Sequence, residues 1–136
     1  MGKKSQVGIE YLIIFGFLTF VLIITIGIAY FYSESIKDRL LITQVSNFAN
    51  KIVATSETVF YYGTPSKATI RVYLPEKVQS IEMTDEGLIV STQLNSGISK
   101  TLYSSAVPLQ GNLNVTPGVH YVVITAQEDK ILLSNA

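Results

Sequence analysis

The sequence predicts an α+β protein, with a long hydrophobic N-terminal α-helix followed by a small antiparallel β-sandwich or barrel head. Three observations carry this expectation. Tyr11–Tyr32 is an apolar run without a single charge. Beyond it, apolar residues recur at steps of three and four as far as Val59. From Lys67 the pattern changes to the two-residue alternation of half-buried strands.

The apolar run comes first. As a helix it would be roughly 33 Å long at about 1.5 Å per residue, enough to cross a hydrocarbon core. A secretory signal peptide has a shorter apolar region, about 7–15 residues, and small residues at its cleavage site. This run instead ends in Tyr30-Phe31-Tyr32, aromatics suited to a membrane–water interface. Lys3 and Lys4 precede it, which keeps the N-terminus in the cytoplasm and places the remainder outside. Phe15, Phe17 and Phe20 read as helix-packing groups.

The helix is expected to continue. Leu41, Val45, Phe48 and Ile52 form a stripe that Ile36, Leu40 and Val59 extend. Glu34, Lys37, Asp38, Gln44, Asn47, Asn50, Lys51 and Glu57 fill the opposite, polar face. No proline precedes Pro65, and Gly63 offers a left-handed cap just before it. The expectation is one helix from Val7 to Tyr62, its outer stripe and Tyr61–Tyr62 packed on the head.

Strands are expected at Lys67–Leu74, Val78–Met83, Gly87–Leu94, Ile98–Tyr103, Leu109–Val115, Val119–Ala126 and Lys130–Leu133. Turn-forming segments such as Pro75-Glu76-Lys77, Asn95-Ser96-Gly97 and Thr116-Pro117-Gly118 separate them. So many short strands without a second helix favour a small antiparallel head, Ig-like if a sandwich.

Chemistry is sparse. Lys plus Arg is 10 and Asp plus Glu is 10, so the basic excess of a nucleic-acid binder is missing. Charged residues make up 15% and the mean hydropathy is +0.36, too apolar for disorder. The absence of cysteine excludes disulfides, thiol catalysis, Fe–S clusters and cysteine-ligated zinc. The single histidine, His120, falls on the strand face of Val122 and Ile124, the setting of a packed residue. Glu82, Asp85 and Glu86 gather near one turn but lack the ligand count of a calcium loop. No nucleophile–base cluster suggests an enzyme, and no cofactor or metal is expected. Asn114-Val115-Thr116 is an N-glycosylation sequon in an expected surface turn, although the adjoining Pro117 disfavours modification.

Two features go beyond a simple anchor. Glu10 is a carboxylate at the start of the apolar stretch, where lipid burial is costly. Before it stands a short basic segment that ends in the slim residue Ser5, ahead of Gln6. Together, Lys3-Lys4-Ser5-Gln6-Val7-Gly8-Ile9-Glu10-Tyr11 resembles the class III signal peptide of archaeal type IV pilins. Gln6, Gly8, Glu10 and Tyr11 fit the euryarchaeal pattern of Gln, then Ser or Gly, then Glu-Tyr. The resemblance covers about the first quarter of the chain, and the head adds no motif to it. Archaellins share the processing logic but usually lack the Glu-Tyr pair.

The resemblance implies a division into a cleaved leader, 1–5, a transmembrane and filament-core helix, 6–33, its amphipathic continuation, 34–62, and a pilin-like β head, 66–136. It implies a prepilin peptidase cutting between Ser5 and Gln6, and an assembly ATPase with a membrane platform protein. Identical subunits would then pass from the membrane into a helical homopolymer on the cell surface, serving adhesion. Lipid is as apolar as a helix bundle, so such assembly leans on close packing and polar pairing. Glu10 suits the pairing, with the freed amine of Gln6 on a neighbour as its partner unless that glutamine cyclises. Gly16 and Gly27, about three turns apart on one face, suit the packing. The alternative is a non-polymerising, single-pass membrane-anchored extracellular β-domain that binds a ligand or an envelope partner.

Overall fold

The computed structural model describes residues 2–136, with the side chains of residues 3–5 outside that description. It has one α-helix, α1 (Gly2–Tyr61), and seven strands. These are β1 (Lys67–Leu74), β2 (Val78–Thr84), β3 (Gly87–Leu94), β4 (Gly97–Ser104), β5 (Leu109–Gly111), β6 (Gly118–Ala126) and β7 (Ile131–Asn135). The fold is α+β, a long N-terminal helix followed by a β head of two sheets. Contacts divide the chain into the units Met1–Lys37 and Asp38–Ala136.

The first unit is helix alone, and its described apolar side chains lie exposed, from Val7 at 65% to Phe31 at 79%. Ile36, which the sequence placed on the packed stripe, is exposed as well.

In the second unit the helix and both sheets share one core. Val45, Phe48, Ala49, Ile52, Val53 and Val59 are buried along the helix, and Leu41 is half-buried. Leu40 was expected among them but is exposed. At about 100° per residue it stands roughly 140° round from the middle of the buried stripe. The helix ends at Tyr61, where Gly63 takes φ 79° and its N–H donates to the Phe60 carbonyl at 2.9 Å. The left-handed cap read from the sequence is therefore present. Tyr61 and Tyr62 are 75% and 77% exposed, and do not pack on the head as expected.

The larger sheet has the order β1-β6-β7-β5 and the smaller one the order β2-β3-β4. Ala68, Ile70, Val72 and Leu74 of β1 pair with Ile124, Val122, His120 and Gly118 of β6, giving that sheet its inner face. Leu88 and Val90 of β3 line the inner face of the smaller sheet.

Two expectations about the strands need correction. The segment Leu109–Val115 is a strand only as far as Gly111, and the ladder between β5 and β7 is parallel, while every other ladder is antiparallel. Gly111 (φ 132°) lies so close to β7 that an added Cβ would stand 2.0 Å from the Leu133 carbonyl oxygen. From there the chain leaves the ladder and enters β6, on the other side of β7 in the sheet. Leu113 is still buried, so the apolar alternation continues where the pairing does not.

Candidate functional site on the N-terminal helix

The residues that carried the sequence reading lie along the first unit. Gln6, Gly8, Glu10 and Tyr11 are all on α1 and all exposed. Lys3, Lys4 and Ser5 fall within the helix bounds, but their side chains lie outside the described residues. α1 is the helix, among the described residues, that is long and apolar enough to cross a membrane.

Two of its hydroxyls are bonded within the helix. The Thr19 hydroxyl donates to the Phe15 carbonyl and the Thr25 hydroxyl to the Val21 carbonyl, each at 2.8 Å. Both hydroxyls are thus satisfied within the helix and need no water. Glu10 has no such internal partner among the described residues.

The glycines are as informative as the carboxylate. A Cβ added at Gly8, Gly16 or Gly27 would meet nothing within 4 Å. A glycine inside a helix costs about 0.8–1.0 kcal/mol relative to alanine. Among the described residues no contact requires that cost at these three positions. Small residues at such open positions permit close approach of another helix. Gly16 and Gly27 stand only about 20° apart round the helix, whereas Glu10 lies about a third of a turn away. The carboxylate and the glycine seam therefore present two neighbouring faces, not one.

The head gathers little chemistry. His120 Nε2 donates to the Thr116 carbonyl at 2.5 Å, which ties the ring to the stretch before β6. Glu82 meets Lys100 at 3.8 Å across exposed strands. Among the described residues no group of three or more His, Cys, Asp or Glu side chains can hold a metal ion. Asn114 is exposed in the irregular stretch after β5, its Oδ1 accepting the Thr116 N–H at 3.2 Å.

Sequence reasoning missed a set of polar clips in the second unit. Asp38, Lys51 and Glu57 were assigned to a solvated helix face. Asp38 instead stands in line with Val45 and Ile52, and its Oδ2 accepts the Asn95 N–H at 3.4 Å. Lys51 Nζ donates to the Arg71 carbonyl at 2.8 Å, and Glu57 Oε1 accepts the Ala106 N–H at 2.9 Å. Ser46 Oγ and Tyr103 Oη are 3.0 Å apart and share a hydrogen bond. The seven-residue spacing of Asp38, Val45 and Ile52 was the available signal for Asp38.

No protein-family model, curated protein or solved structure matches this chain.

Proposed function

We propose that this chain is a type IV pilin-like subunit of an archaeal cell-surface filament, with a structural rather than a catalytic role. The observation that carries the reading is the first unit of α1. It is an apolar helix with every described large side chain exposed, and three interior glycines at which an added Cβ would meet nothing within 4 Å. The order of Lys3-Lys4, Ser5, Gln6, Gly8 and Glu10-Tyr11 at its start supplies the resemblance to a class III signal peptide.

In this reading the precursor sits in the membrane with Lys3 and Lys4 in the cytoplasm and the head outside. A prepilin peptidase removes residues 1–5. The machinery, an assembly ATPase on a membrane platform, then moves the helix out of lipid against identical helices, with the heads coating the fibre. Gly16 and Gly27 let backbones approach, and Glu10 exchanges an unpaired position in the precursor for a partner in the polymer. Adhesion is the use that such a surface filament serves.

Ser5 tests the proposal directly. A peptidase that needs a slim residue before the scissile bond will reject Ser5→Leu. The variant is expected to accumulate as full-length precursor in the membrane and to form no fibres. Normal fibres from Ser5→Leu would remove the processing step on which the reading depends.

A further inference from the structure

The one sequon of the chain, Asn114-Val115-Thr116, is not used by anchoring, processing or helix assembly. It lies between β5 and β6, in the irregular stretch that follows Gly111. No strand ladder holds this stretch, but the core does. Leu113 is buried, and Val115 packs partly buried against the same core. Asn112, Asn114 and Thr116, which alternate with them, are exposed. Two apolar side chains thus pin the segment from below, and both recognition side chains of the sequon are turned to water.

Hydrogen bonds hold the sequon in a turn and leave its reactive atoms open. Asn114 Oδ1 accepts the Thr116 N–H at 3.2 Å, a local turn closed by the side chain. On the far side, the Thr116 carbonyl accepts from His120 Nε2. Neither bond uses the Asn114 amide nitrogen or the Thr116 hydroxyl, and among the described residues neither group bonds elsewhere in the protein. Pro117 keeps the residue before it out of the helical region and brings no N–H of its own. Both restrictions are met here, because Thr116 lies in no helix and its own N–H closes the turn. The proline that weighs against the motif in sequence is compatible with the turn in the structure.

We propose that Asn114 is a site of N-glycosylation, taking a glycan from a lipid-linked sugar phosphate at the outer face of the membrane. In the transfer a bond forms between Asn114 Nδ2 and the anomeric carbon of the first sugar. The bond from that carbon to the phosphate oxygen breaks, and the lipid phosphate leaves with the electron pair. The amide gives up one proton to a base of the transferase, and nothing is oxidised or reduced. Thr116 supplies the hydroxyl that the acceptor motif requires. Asn112 is equally exposed but has Asn114 two places on in place of a hydroxyl residue, so it is no acceptor. The inference rests on the outward placement of the head in the proposed function, and not on polymerisation.

Mass spectrometry of the protein isolated from its own cells tests it, on the tryptic peptide Thr101–Lys130 that contains the sequon. Protease treatment of intact cells reports separately whether the head is outside. The peptide is expected to carry the added mass of a glycan, which Asn114→Gln and Thr116→Val both abolish. Thr116→Ser, which keeps the hydroxyl, and Asn112→Gln should retain it. A bare peptide from a head that protease reaches overturns the glycosylation and leaves the outward placement standing. A bare peptide from a protected head overturns both. A glycan that survives Asn114→Gln or Thr116→Val also overturns the proposal, because the sugar is then attached elsewhere or without the motif.

Discussion

Gly111 shows how much a single backbone position decides. With φ at 132° and the Leu133 carbonyl oxygen only 2.0 Å from any added Cβ, it allows β5 to lie against β7 and then ends the pairing. Gly111→Ala is expected to destabilise the head by about 2 kcal/mol or more, read as a lowered denaturation midpoint of the full chain in detergent. Glu10 works differently, because none of the described residues partners it. Glu10→Gln keeps shape and hydrogen bonding but loses charge, so the ratio of sheared filament to membrane-retained processed subunit should fall without vanishing. Glu10→Leu should depress that ratio further, with membrane insertion unchanged or improved in both variants. Equal ratios for all three chains would reduce Glu10 to an interfacial carboxylate. Some residue-level facts were out of reach of the sequence. Ser56 and Ser91 are buried with no hydrogen-bond partner among the described residues, and a serine reads as surface until its neighbours are known.

At the level of elements, local pattern was readable and pairing was not. The alternation of KATIRVYL marks β1 to the residue, and Gly87–Leu94 marks β3 equally well, because side-chain period and turn chemistry are both local. The end of β5 and its parallel partner depend on a contact with Leu133, more than twenty residues away, and alternation through Leu113 hid the exit from the sheet. The polar clips were hidden for the same reason. Asp38, Lys51 and Glu57 bond to backbone groups of a turn, the edge strand β1 and a loop, all distant in sequence, which leave no signature in the residue types of the helix. The helix itself was legible, including its Gly63 cap, while the shared face of Gly16 and Gly27 is legible only as spacing. Gly16→Leu or Gly27→Leu is therefore argued for the element. Either change improves helix propensity and lipid solubility, so insertion should persist. Fibres should become fewer or dissociate more readily under heat or detergent, because the bulkier side chain holds neighbouring backbones apart. Fibres as stable as those of the unchanged chain would make the glycines incidental.

For the whole molecule, the two units answer different demands. Asp38–Ala136 holds a continuous core of helix and two sheets, as a domain that faces water must. Met1–Lys37 buries none of its described large apolar side chains, so lipid or other protein has to cover them. A membrane anchor satisfies that demand once. A filament subunit satisfies it twice, first with lipid and then with copies of itself, and the proposed cleavage ahead of Gln6 is what would separate the two. The most direct measurement is the N-terminal sequence of the protein in material sheared from the cell surface, taken together with its mass. The filament account requires long, high-mass fibres whose subunits begin at Gln6. Recovery of the chain only in the membrane fraction, with residues 1–5 still attached, would contradict it and leave an anchored β-domain in its place.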